Sequence, residues 1–309
     1  MNRELSDIIA MVEAGQFDLI LQAAQEIEDA WHRSSAFAGV AAVMAKAGQM
    51  ERANQVFQLA LQTAQEIEDA WSHSLVLERI AVAMAKAGQF DLALQTAQKI
   101  EDAKVRSRAL WSIAVAMAEA GQLDRALQVA QKIEDAWSRS YAFAGVAAAM
   151  AKAGQMERSN QVFQTALQAA QEIEDPLKRS YAFVEVAAVM AKAGQMEEAN
   201  QAFQLALQAA QEIGNAKYRS YALALNYTAV AMAKAGQFDL ALQVAQKIED
   251  AEDRSWALRE IAEAMAKAGQ LDRAVKVAEM ISDPIERLQA LVAIIAAKQK
   301  AGKGEAGKE

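Results

Sequence analysis

The stretch Ala83-Met84-Ala85-Lys86-Ala87-Gly88-Gln89 decides the fold. Its Ala-Gly-Gln core recurs with the glycine at Gly15, Gly48, Gly88, Gly121, Gly154, Gly194, Gly236 and Gly269, and a weaker copy ends in Gly302. The intervals are 33, 40, 33, 33, 40, 42, 33 and 33 residues. A period of this size marks stacked supersecondary units, none of which buries its apolar face alone. A solenoid follows.

Working outward from the glycine, each unit reads as two helices. In the segment ending at Gly154, Asp135 is placed to cap a helix N-terminus, and Ala142, Phe143, Val146, Ala147 and Met150 form one apolar stripe at helical spacing. Gly154 suits the left-handed residue that closes a helix, and Lys152 in the last turn complements the helix dipole. We call this helix A. Helix B follows the closing glycine after one or two residues; after Gly121 its stripe is Leu123, Ala126, Leu127, Ala130 and Ile133, with Asp124 in its first turn. Pro176 and Pro284, each just after an aspartate, fit the first turn of a helix.

The irregular intervals carry information. The 40-residue units add about seven residues to helix B, as in Met50–Ile67. That is nearly two turns, so the stripe Met50, Ala53, Phe57, Ala60, Ala64 and Ile67 survives, and the longer helices reach roughly 10 Å beyond their neighbours. The 42-residue interval carries two further residues within Ala222–Thr228. Two residues break helical phase, which predicts a bulge or kink there. Polar residues at stripe positions near the ends, Arg3, Glu4 and Asp7 at the start and Lys298 at the finish, predict capping surfaces. The Gly/Lys/Glu-rich segment 300–309 is expected to be disordered.

Composition agrees with an all-α chain and limits its chemistry. Hydrophobic residues make up 53%, with 2 prolines and 14 glycines in 309 residues, and much of the apolar content is alanine, the best helix former. The net charge of −8 argues against a phosphate-backbone partner. No cysteine is present, and His32 and His73 are the only histidines, so no metal site or cofactor is expected. The N-terminus lacks the pattern of a secretion signal, and no run of about 18 apolar residues could span a membrane. A cytoplasmic protein is the default reading.

The residues resemble tetratricopeptide repeats over nearly the whole chain. Ala53, Phe57 and Ala60 match that family's helix B pattern, as do Ala199, Phe203 and Ala206, while Ser159 departs from it ahead of Phe163 and Ala166. Ala147 and Ala187 stand where the family usually has glycine, and the short units replace the helix B phenylalanine with Ala97, Ala130 or Ala245. The resemblance implies a right-handed α-solenoid of about eight helix-turn-helix repeats, one domain over residues 1–299. It also implies a concave groove, lined by helix A, that holds a peptide or partner helix. The pattern is similar to pentatricopeptide repeats as well, which read single-stranded RNA.

Comparison among the copies locates the candidate site. Ala142, Val146, Ala147 and Met150 keep their type from unit to unit, as packing requires. The most variable helix A position holds Ser35, Leu75, Arg108, Tyr141, Tyr181, Tyr221, Trp256 and Gln289. Three residues later come Ala38, Glu78, Trp111, Ala144, Val184 and Arg259, followed by Gly39, Arg79, Ser112, Gly145, Glu185 and Glu260. Such spacing puts them on one face. The resemblance identifies that face with the family's groove. Trp111, Tyr141, Tyr181, Tyr221 and Trp256 then form an apolar platform, with Arg108, Arg259, Glu185 and Glu260 supplying specificity. The competing reading has these aromatics filling the gap between successive A helices.

Two other sets favour structural roles. Arg33, Arg106, Arg139, Arg179, Arg219 and Arg254 recur before a serine in every such unit, as pairs with the preceding Glu-Asp would require. Trp31, Trp71 and Trp137 open their helices and read as inter-repeat packing. The carboxylates recur as helix caps, and no glycine-rich phosphate loop exists. The expectation is a non-enzymatic scaffold for a protein or peptide. RNA binding, or a structural or designed array without a natural ligand, remains the alternative.

Overall fold

In the computed structural model, which describes residues 17–213 and 218–306, sixteen helices follow one another and no strand occurs among these residues. The B helices are α1 (Phe17–Gln25), α3 (Met50–Ala64), α5 (Phe90–Gln98), α7 (Leu123–Gln131), α9 (Met156–Gln171), α11 (Met196–Gln211), α13 (Phe238–Ala245) and α15 (Leu271–Glu279). They alternate with the A helices α2 (Ala30–Lys46), α4 (Ala70–Lys86), α6 (Ala103–Glu119), α8 (Ala136–Lys152), α10 (Pro176–Lys192), α12 (Tyr218–Lys234), α14 (Ala251–Lys267) and α16 (Pro284–Ala306).

The chain divides into two compact units, residues 1–162 and 163–309, with the boundary inside α9. In the first, α2 packs on α4, α4 on α6 and α6 on α8. In the second, α10, α12, α14 and α16 stack in the same order. Helix B packs against its own helix A and against the A helix that follows, as α3 does with α2 and α4, and α11 with α10 and α12. This is α-solenoid stacking within each unit.

Local chemistry sets the helix ends. Asp135 Oδ2 accepts the Ser138 amide at 2.7 Å, and Asp29, Asp69, Asp102, Asp175 and Asp250 cap their helices in the same way. At the other end, Gly154 takes φ +77°. Its N–H donates to Ala151 O at 2.9 Å and that of Gln155 to Met150 O at 2.9 Å, the paired closing bonds of a left-handed helix stop. Between these ends the stripe is buried, and Ala142, Val146, Ala147 and Met150 are fully enclosed.

The three long B helices have 15 or 16 residues against 8 or 9 in the others, which brings them close to the 17 of helix A. The extra turns of α3 and α11 bury Ala53, Val56, Ala199 and Ala202, so they lie along packed neighbours and are not left in solvent. Burial also decides the frame. Read from the glycine, Met50 would match Phe90, yet Met50 is 42% exposed and Phe57 is 0% exposed. Phe57, Ala60 and Ala64 therefore take the places of Phe90, Ala93 and Ala97, and the short units keep a large apolar residue there, Phe17, Phe90 and Phe238 or Leu123 and Leu271, where a reading from the glycine assigns alanine.

The bulge expected within Ala222–Thr228 does not occur, because α12 is an uninterrupted helix of 17 residues. Ile213 precedes Tyr218 by five residues whereas Ile173 precedes Pro176 by three, so the two extra residues enter before the helix. The buried stripe and closing turn then stay in phase: Ala224, Thr228, Ala229 and Met232 are buried where Ala182, Val186, Ala187 and Met190 are. At the C-terminal end, α16 continues through Gly302 to Ala306, so the segment from Lys300 to Ala306 is helical and that glycine does not close it. Ala296–Ala301 contains only good helix formers, and Gly302 and Gly304 cost about 1 kcal/mol each, which does not stop the helix. Lys298 is exposed as expected of a polar cap, but Ile285, Leu288, Val292 and Ile295 are exposed too, so the outer face of α16 is apolar. The other expected cap, Arg3, Glu4 and Asp7, lies outside the described residues, as does Gly15.

Candidate functional site

The charged residues of the variable helix A face are engaged between neighbouring helices. Arg108 on α6 grips Glu78 on α4 with two bonds, Nε to Oε1 at 2.9 Å and Nη2 to Oε2. That bond raises the Arg108 pKa against the opposing effect of burial. Arg259 on α14 reaches Glu263 at 2.8 Å, Glu260 at 2.9 Å and Glu286 on α16. Burial works against its charge, and the hydrogen bonds to Glu263 and Glu286 outweigh it. Arg108 and Arg259 thus hold A helices side by side, while Glu260 pairs with Arg259 within α14. The more exposed Arg108–Glu78 pair contributes about 0–1 kcal/mol.

The aromatic residues of the first unit pack on one another. Trp111 meets Tyr141 edge-on at 5.1 Å between ring centroids, and Tyr141 stacks on Trp137 one turn away at 5.1 Å. All three are half-buried, so they bridge α6 and α8 while keeping one side in solvent. The gap-filling reading describes this geometry well.

In the second unit the same face opens into cavities. Tyr181 on α10 meets Tyr227 on α12 edge-on at 4.8 Å, and the Tyr227 hydroxyl donates to Glu185 Oε1. Burial raises the Glu185 pKa, with Lys192 and Lys234 pulling it back, and burial likewise raises that of Tyr181. One cavity of about 330 Å³ lies between α10 and α12, where Glu185, Lys192, Tyr227 and Lys234 supply its polar groups. A second, also about 330 Å³, is walled by Tyr181, Leu223, Asn226, Tyr227, Asp253 and Trp256. Tyr227 is common to both.

The structure therefore brings Tyr181, Glu185 and Trp256 together and leaves Tyr221 aside. Counted back from Gly236, Tyr221 takes the place of Arg179, while Leu223, Asn226 and Tyr227 take those of Tyr181, Val184 and Glu185. The Arg-Ser-Tyr motif shared by Arg179–Tyr181 and Arg219–Tyr221 conceals this, because the two added residues do not lie after it. Counting from the closing glycine puts all three on the variable face, counting from the motif does not, and the packing of α12 decides between the two counts. Among the described residues, no three His, Asp or Glu side chains converge as a metal site would need.

The recurring arginines have a structural partner other than the one expected. Arg139 Nη1 donates to the carbonyls of Ile133 at 2.8 Å and Glu134 at 2.9 Å, and Arg33, Arg106, Arg179 and Arg254 do the same with their Ile-Glu pairs. They satisfy backbone acceptors left over beyond the end of helix B. Arg179, which is buried, adds a bond to Glu212. Arg179→Ala is expected to lower stability by about 1.5 kcal/mol in urea unfolding, the scale of losing hydrogen bonds from a charged donor. An unchanged midpoint would free this arginine for another role. Of the tryptophans, Trp31 lies under Arg79 of the next A helix at 5.0 Å, Trp137 stacks within its own helix, and Trp71 is largely exposed.

No family model and no curated protein matches the chain. Solved structures similar to it include Ton1535 from Thermococcus onnurineus NA1, at 19% identity and a TM-score of 0.32, covering 94% of this chain and 98% of that one. Another is a circular tandem repeat protein with novel repeat topology and enhanced subunit contact surfaces, at 12% identity and a TM-score of 0.27, covering 97% and 84%. Scores this low bear on neither function nor site.

Proposed function

We propose that the chain is a non-enzymatic scaffold of the tetratricopeptide kind, binding a protein segment across the A helices of its second unit. One observation supports this above the others. The cavity that Trp256 walls is lined by residues from the positions where the copies differ, and Glu185 and Tyr227 carry that variation into the adjoining cavity between α10 and α12. Packing would not require that variation, and half-exposed aromatic side chains beside polar groups are what interface hot spots use. Trp256, 38% exposed, has apolar surface to spare. Among the described residues no helix is long and apolar enough to cross a membrane. The net charge of −8 disfavours RNA.

A second reading, a structural array with no ligand, draws on the near identity of Ala36–Gln49 and Ala142–Gln155, which differ only at Val43 and Ala149. Panning a random 12-residue peptide library on the full chain separates the two. A ligand-binding scaffold enriches peptides whose affinity falls at least tenfold in the Tyr181→Ala/Trp256→Ala double variant, with the helical circular dichroism unchanged. Absence of enrichment, or peptides indifferent to both substitutions, would favour the inert array.

A further inference from the structure

The cavity at Trp256 has a chemical bias that its neighbour lacks. Its walls are aromatic or aliphatic on Tyr181, Tyr227, Trp256 and Leu223, and its polar groups are the Asp253 carboxylate and the Asn226 amide. The described lining includes no basic side chain, whereas the adjoining cavity has Lys192 and Lys234.

Asn226 is the telling residue. It is 4% exposed and stands where the preceding A helix buries Val184. Its Oδ1 accepts no hydrogen bond. Leaving such an acceptor buried and unmatched costs about 1–3 kcal/mol, which valine at this place avoids. The preceding repeat, with Val184, shows that the packing itself accepts an apolar side chain. Asn226 lines the cavity, and rotation of its amide about χ2 offers this unmatched acceptor to a donor arriving there.

That donor must also suit aromatic faces and a carboxylate. Aromatic faces attract cations, and a carboxylate excludes anions. A guanidinium answers every group: it is flat enough to stack, weakly hydrated enough to desolvate, and has five N–H donors to divide between Asp253 and Asn226. An ammonium is compact and strongly hydrated, so it would meet the same groups less well. The net charge of −8 favours the approach of a basic segment. We infer that this cavity holds an arginine side chain of a basic peptide segment, with the Asp253 carboxylate as counter-charge and Asn226 Oδ1 as acceptor. Tyr227, tied to Glu185 through its hydroxyl, forms a fixed wall. The inference rests on the scaffold reading and names the chemistry of the segment.

The test uses the full chain and fluorescein-labelled nine-residue peptides that differ at a central arginine, citrulline or lysine, with binding read by anisotropy. Citrulline keeps the shape of arginine and removes its charge. The arginine peptide is expected to bind at least tenfold more tightly than the citrulline peptide and severalfold more tightly than the lysine peptide. Its affinity should fall as salt rises from 50 to 500 mM. Asn226→Val and Asp253→Asn should each weaken the arginine peptide about tenfold and leave the citrulline peptide unchanged. Asn226→Val restores the residue type of the preceding repeat, so its fold should hold, as thermal melting will show. Equal binding of arginine and citrulline peptides, or full arginine affinity in Asn226→Val, overturns the inference. If panned peptides without arginine bind this face while the arginine peptide does not, the arginine assignment fails and the scaffold stands. If no peptide of any sequence binds, both fail.

Discussion

Phe203→Ala is expected to destabilise the second unit by about 3–5 kcal/mol, the range for truncating a fully buried phenylalanine. The ring is completely enclosed on α11, among alanines that cannot expand to fill the space it leaves. Met196, seven residues earlier on the same stripe, is exposed, and Met196→Ala is expected to change stability by no more than about 0.5 kcal/mol. The pair discriminates between two frames for the long helices. Were the frame set from the glycine, Met196 would be the buried match of Phe238 and the two costs would be comparable. Because a repeat array need not unfold in one step, hydrogen exchange of the α11 amides is the appropriate readout. Equal loss of protection in both variants would refute the frame.

Gly145→Ala is expected to cost about 1–3 kcal/mol, although alanine is the better helix former. A Cβ at Gly145 would lie 2.6 Å from Val115 Cγ2 on the adjacent helix α6. Valine has essentially one χ1 state in a helix, so its methyl cannot swing aside, and the helices themselves must separate. Gly39 stands in the matching place of an almost identical stretch, is exposed, and has no described heavy atom within 4 Å of its Cβ position. Because Gly39 is exposed, Gly39→Ala is expected to avoid that cost, and the higher helix propensity of alanine can raise stability by up to about 1 kcal/mol. Thermal melts of both variants, with Gly145→Ala/Val115→Ala as the relief variant, test this contrast. Failure of Val115→Ala to restore stability would place the strain elsewhere.

The two stretches around Gly39 and Gly145 show where sequence reading stops. Residue by residue they are nearly the same, and what separates them is a valine from another repeat. The candidate site has the same character. Tyr181, Glu185 and Trp256 were legible as variable positions on one helix face. Asn226 and Tyr227 were hidden behind a repeated Arg-Ser-Tyr motif that put the register two residues out. Arg108, Arg259 and Glu260 were legible as variable, and Glu263 lies one helical turn after Arg259, yet the partners Glu78 and Glu286 could be identified only once the helices were side by side.

The sequence by itself determined the repeating helix pair, the aspartate and glycine that begin and end each helix A, and its buried stripe. Those features rest on hydrogen bonds and side-chain spacings within a few residues, so they are written locally. Tertiary structure decided the frame of the long B helices, because seven residues make almost two turns and either frame preserves an apolar stripe. It also decided the frame of α12, where the extra residues could enter before the helix or within it and only packing against α10 and α14 favours one choice. Which variable side chains share a cavity depends on those frames.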